Sequence, residues 1–105
     1  MASSIKVRTS LRDNLTTVRA IIRHPMHTGF EFDQAAKKLI PAHYIEHVTV
    51  HHKEKLILQC EWSRAVSRNP YLSFEFSGAN AGDVLRISWL DNRGESDTVS
   101  VKIEP

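Results

Sequence analysis

The sequence predicts an all-β fold, an immunoglobulin-like antiparallel sandwich of about seven strands, on three observations. Hydrophobicity alternates with a period of two in seven segments, the pattern of a strand with one face on a core. The breaks between several of them are short and rich in Asp, Asn and Gly, which favours hairpins over crossovers. The chain has 105 residues and is 41% apolar, so a single domain, residues 1–105, holds the whole pattern.

The first segment sets Ile5, Val7, Thr9 and Leu11 against Lys6, Arg8, Ser10 and Arg12. After a turn at 12–14, Val18, Ala20 and Ile22 alternate with Arg19, Ile21 and Arg23, where only Ile21 breaks the polar face. Further segments are predicted at 44–52, 55–62, 71–76, 84–90 and 98–103. The last four of these carry an inward set of Leu56, Leu58, Cys60 and Trp62, then Leu72, Phe74 and Phe76, then Leu85, Ile87 and Trp89, then Val99, Val101 and Ile103. Turn chemistry at 52–54, 78–83 and 91–94 separates them.

Two connections do not read as hairpins. Residues 24–43, HPMHTGFEFDQAAKKLIPAH, are far longer than the usual four to six residues. Asp33 is placed to cap one helical turn over 35–39, ended by Pro41. Met26, Phe30, Phe32, Leu39 and Ile40 in this loop, with Tyr44, Ile21 and Tyr71 nearby, are the apolar residues that a lone sandwich hides least easily. Such residues mark an interaction surface, and these eight are the candidate partner interface. The second irregular connection, 63–70, brings Arg64 and Arg68 as candidates for electrostatic steering.

Charge and cysteine content narrow the function classes. Lys and Arg outnumber Asp and Glu by five to one over residues 1–30, and the balance reverses to three against six over 71–105. The basic residues are scattered singly, without an aromatic RNA-binding motif, so no nucleic-acid partner is expected. The longest apolar runs are three residues, so neither a membrane span nor an export signal is expected. One cysteine, Cys60, rules out an internal disulfide and a CxxC pair, and its inward neighbours predict a thiol of low reactivity.

Six histidines raise the question of metal. His24, Met26 and His27 have copper-suited ligand types, yet the set lacks a thiolate, and His24 is read as a hydrogen-bonded loop residue. His43, His47 and His51 are four apart, about 13 Å along a strand, too far for one ion. No metal, cofactor or catalytic residue is therefore expected, and the chain is read as not an enzyme.

Four stretches nonetheless resist explanation as plain sandwich: His24-Pro25-Met26-His27-Thr28-Gly29; Lys38-Leu39-Ile40-Pro41-Ala42-His43-Tyr44-Ile45; Val66-Ser67-Arg68-Asn69-Pro70-Tyr71-Leu72-Ser73-Phe74; and Trp89-Leu90-Asp91-Asn92-Arg93-Gly94. Together, and in this order, they resemble the SoxZ family of the bacterial thiosulfate-oxidising Sox system. The resemblance implies an immunoglobulin-like subunit that pairs as a heterodimer with SoxY. In that family SoxY carries the sulfur intermediate on a cysteine in a mobile glycine-flanked tail, and other Sox enzymes visit the complex transiently. It also implies a periplasmic location, reached by export folded with a signal-bearing partner. Val99-Ser100-Val101-Lys102-Ile103-Glu104-Pro105 reads as a last strand with no thiol to load. Two other readings stand beside the binding subunit: a copper or redox module on His24, Met26 and His27, and a sulfur carrier or enzyme on Cys60.

Overall fold

Two sheets pack face to face in a computed structural model that describes residues 4–105. The strands are β1 (Ile5–Arg12), β2 (Leu15–Ile22), β3 (Phe32–Asp33), β4 (Lys38–Leu39), β5 (Ile45–His52), β6 (Lys55–Glu61), β7 (Tyr71–Ser77), β8 (Val84–Asp91) and β9 (Ser96–Lys102). One sheet runs β1-β2-β7 and the other β6-β5-β8-β9, with β3-β4 a separate two-stranded hairpin. All pairings are antiparallel. Among the seven long strands, the first, second and fifth share one sheet, while the third, sixth and seventh share the other with the fourth at its edge. That is the A-B-E and C-F-G division of immunoglobulin-like sandwiches.

Alternation drives this layout. Val18, Ala20 and Ile22 of β2 face Val48 and Val50 of β5 and Leu85 and Ile87 of β8 across the core, all of them buried. Burying each of the Val, Leu and Ile side chains contributes about 1.5 to 3 kcal/mol. The β1–β2 and β5–β6 hairpins turn on Asp13-Asn14 and Lys53-Glu54, all four at positive φ, which matches the twist of two-residue hairpins.

Two expectations are corrected and a third, for Cys60, is met in part. Leu56 is not part of the core but 46% exposed. The β5–β6 register shifts between Val50 and His51, so that Val50 pairs Leu58 while outward-facing His51 pairs Leu56, and such a bulge inverts the alternation on one side of itself. No helical turn forms over 35–39. Asp33 Oδ1 accepts from the N–H groups of Ala35 and Ala36 (3.0 and 3.2 Å), but Lys37 at φ 55° folds the chain back into β4. Cys60 is only partly buried, and that burial raises its thiol pKa above the ordinary value.

The molecule is elongated, 54 × 24 × 20 Å with a radius of gyration of 15.8 Å, against about 13 Å for a compact domain of this length.

Candidate functional site

The inward faces of β2 and β8 do not stop where their apolar residues do. Two residues beyond Ile22 the same parity brings in His24, and two beyond Trp89 it brings in Asp91, 3% and 2% exposed respectively. His24 Nε2 lies 3.0 Å from Asp91 Oδ2, and His43 Nε2 lies 2.8 Å from the same oxygen. The other carboxylate oxygen accepts from the backbone N–H groups of Arg93 and Glu95, both at 2.9 Å. His24 Nδ1 accepts from the Met26 N–H at 3.3 Å, which places the ring proton on Nε2 and makes His24 a donor to Asp91. Arg93 approaches His43 Nδ1 at 3.5 Å, and because a guanidinium only donates, His43 also donates through Nε2. His24 packs edge-on against both His43 and Trp89, with centroids 4.5 and 5.0 Å away.

The Asp91 carboxyl is therefore a buried anion with four donors. Burial by itself pushes its pKa up, but the bonds from His24, the Glu95 N–H, His43 and the Arg93 N–H together outweigh it and hold the pKa below the ordinary value.

Two asparagines brace the same region. His24 and Asn69 exchange bonds, the His24 N–H to Asn69 Oδ1 at 3.1 Å and the Asn69 N–H to the His24 carbonyl at 2.9 Å. The Tyr44 N–H reaches Asn92 Oδ1 at 2.8 Å, Asn92 returns its N–H to the Tyr44 carbonyl at 3.0 Å, and its side-chain amide reaches the Ala42 carbonyl at 3.0 Å. All four stretches singled out in the sequence thus converge on one polar knot at one end of the sandwich.

The knot holds an exposed projection. His27 and His43 form a β-bridge, with N–H to carbonyl distances of 2.7 and 3.0 Å. Above it Gly29, at φ +91°, passes so close to Ala42 that a Cβ there would sit 3.1 Å from the Ala42 Cβ. From this neck rises the β3–β4 hairpin, in which Phe32 pairs Leu39 and the Ile40 N–H bonds the Glu31 carbonyl at 2.8 Å. Phe30, Phe32 and Leu39 are 74, 54 and 56% exposed. The Arg64 guanidinium lies 5.3 Å from the Phe30 ring centroid and 5.5 Å from that of Tyr44, and it donates to the Thr28 carbonyl at 3.1 Å. Arg64 is thus engaged in stiffening the platform, while its guanidinium stays exposed and has no carboxylate partner among the described residues.

The eight apolar residues predicted for an interface divide by place. Phe30, Phe32 and Leu39 lie exposed on the projection, with Ile40 and Tyr44 half-buried at its base. Ile21 and Tyr71 oppose each other on the outer face of the β1-β2-β7 sheet. Met26 is in the core, 4% exposed, its sulfur accepting the Ile45 N–H at 3.3 Å, so it is removed from the surface set. His24 is, as read from the sequence, a hydrogen-bonded residue of the connection after β2, and it is also buried in the core. His43, Asn69, Asp91 and Asn92 were missed as site residues. A usable signal existed for His24 and Asp91, because each extends its strand's inward parity by one step; none existed for the asparagines, whose roles depend on which loops meet.

The donor set does not fit a metal. His24, His43 and Asp91 offer ligand atoms within 4.8 Å of one another, but an imidazole ligating through Nε2 carries its proton on Nδ1. In His24 that atom faces the Met26 N–H, a donor that cannot turn away. The trio His24, Met26 and His27 fits no better: His27 Nδ1 bonds Glu31 at 2.8 Å, the Met26 sulfur takes a backbone N–H, and the His24 Nε2 proton goes to Asp91. Of that trio only His27 Nε2 is left as a ligand atom, and one nitrogen does not make a metal site.

The family model for the sulphur oxidation protein SoxZ matches residues 5–102, nearly the entire chain, and the chain belongs to that family. A search of curated proteins finds no match to it. Membership gives the chain a role in the Sox sulfur oxidation system.

Proposed function

We propose that this member of the SoxZ family is the non-catalytic half of a sulfur carrier: it binds SoxY as a heterodimer through the β3–β4 projection and scaffolds it while SoxY bears the sulfur. The observation that carries the reading is an apolar hairpin held firmly at its base, whose Phe30, Phe32 and Leu39 stay more than half exposed among the described residues even with the Arg64 guanidinium against Phe30. A loop whose apolar side chains served the fold would turn them inward, whereas Phe30, Phe32 and Leu39 point out from a base fastened by the bonds around Asp91. Fixing the hairpin before the encounter lowers the ordering cost of association, and aromatic anchors in a rigid frame are what interface hot spots consist of. A stable heterodimer needs about 1,200 to 2,000 Å² of buried surface in total, so the hairpin would form the centre of a wider contact.

Truncating Phe30 or Leu39 to Ala is expected to weaken the heterodimer by about 30-fold each, the equivalent of 2 kcal/mol for a central anchor, with the melting temperature of the isolated chain unchanged. Isothermal titration with the partner measures it, and unchanged affinity in both variants would remove the projection from the interface.

The proposed partnership sets a location. A chain exported folded with a signal-bearing SoxY is found in the periplasm when SoxY is present and stays in the cytoplasm when the partner's signal is deleted. Fractionation of cells expressing each combination is the check, and a location independent of the partner would refute co-export.

A further inference from the structure

The outer faces of the two sheets differ in a way that folding does not require. Across the β6-β5-β8-β9 sheet, Gln59, Thr49, Ser88 and Thr98 form a neutral cross-strand row, and the charges beside it are of both signs, with Glu61 opposite His47 and Arg86 paired to Glu54. The β1-β2-β7 face instead presents Lys6, Arg8 and Arg12 from β1 and Arg19 from β2, with Arg23 just beyond, all exposed. Among the described residues none of these five side chains has an ion pair or a hydrogen bond, since every cationic partner recorded lies elsewhere. Arg8 and Arg19 are directly opposite each other in the β1–β2 register, and like charges at opposed positions destabilise a sheet. At the same end, Ile21 lies between Lys6 on one side and Tyr71 on the other. Lys6, Arg8, Arg19, Ile21 and Tyr71 also line one shallow depression.

We propose that this face is a docking surface for a second protein that bears an acidic, partly apolar patch, separate from the surface used by the β3–β4 projection. Opposed arginines that cost stability in the free chain are relieved when carboxylates are laid between them, and an exposed isoleucine–tyrosine pair in the middle gives such a partner apolar contact. The apolar centre and Glu75 on the same face, opposite Thr17, favour a protein over a polyphosphate backbone, to which that carboxylate would be repulsive. The net charge of the whole chain is only +2, so the positive potential is local to this face and suits brief, salt-sensitive encounters. The choice of visitors rests on the proposed carrier function: they are the other proteins of the sulfur oxidation system, which must reach the complex in turn.

The test uses the assembled heterodimer with Arg8→Glu/Arg19→Glu and with Arg8→Gln/Arg19→Gln. Association rates with each of the other purified Sox proteins are measured by stopped flow at low and high salt, alongside a DNA duplex and phosphatidylglycerol vesicles. The charge reversal is expected to slow at least one Sox protein by tenfold or more at low salt and to flatten its salt dependence. The glutamine pair is expected to slow the same partner while raising the melting temperature by a few degrees, because the opposed charges are gone. That combination of gained stability and lost docking would not follow from a merely structural face. Unchanged rates for every Sox protein would overturn the proposal while leaving the heterodimer reading intact. Tighter binding of DNA or vesicles than of any protein at equal salt would overturn the choice of occupant, and loss of the heterodimer itself in these variants would show the face to be the SoxY contact instead.

Discussion

Replacing Asp91 with Asn is expected to cost about 3 to 5 kcal/mol of folding free energy, the range for breaking a buried charge network by removing one member. The substitution keeps the shape and removes the charge. It also puts an NH2 where a lone pair was needed, because both carboxylate oxygens accept two bonds each. Whichever way the amide turns, two donors face its nitrogen. Backbone N–H groups cannot reverse, and His24 cannot move its proton to Nδ1 because the Met26 N–H already points there. Since domains of this size are stable by about 5 to 15 kcal/mol, the loss is a large share of the total and is measurable by urea denaturation at pH 7. A cost below about 1 kcal/mol would mean that the knot does not hold the fold.

Acid provides a second measurement of the same group. The folded-state pKa of Asp91 lies below the unfolded value near 3.8. Its contribution to stability is therefore fully present above that value and is lost as the pH falls through the lower, folded one. The stability gap between wild type and Asp91→Asn should narrow on going from pH 5 to below pH 3, and a gap that stays constant would show that the carboxylate is not the cause.

Excising the projection is expected to give the largest effect on binding with the smallest effect on the fold. Gly29 and Ala42 are already in contact at the neck, so residues 30–41 can be replaced by a two-residue turn such as Asn-Gly without moving His27 or His43. Phe30, Phe32 and Leu39 are exposed, half-buried Ile40 lies outside the core cluster, and the Glu31–His27 pair is exposed, so the shortened chain should lose no more than about 1 kcal/mol of stability. Its affinity for the partner should drop by at least 100-fold, the sum of more than one anchor near 2 kcal/mol. Retained affinity in a folded, shortened chain would place the heterodimer contact elsewhere. The two experiments separate support from contact: Asp91→Asn weakens the frame, and excision removes only what the frame presents.

The period of two in the sequence determined the seven long strands, their inward sets except at Leu56, and the sandwich class, because alternation reflects a property of each strand by itself: one face dry, one face wet. It also singled out residues 24–43 as a long irregular connection, since their apolar side chains had no place in that alternation. Only the tertiary structure decided what the loop is. Asp33 makes the local bonds of a cap, yet the chain closes into a hairpin because the neck at Gly29 and Ala42 fixes both ends. Leu56 turned outward because a bulge depends on the neighbouring strand as much as on its own residues. His24, His43, Asn69, Asp91 and Asn92 are spread over most of the chain, and their hydrogen bonds form only where the two sheets bring the connecting segments to one end. Alternation is set between adjacent residues, whereas saturation of a buried carboxylate is set by whatever the fold carries to it.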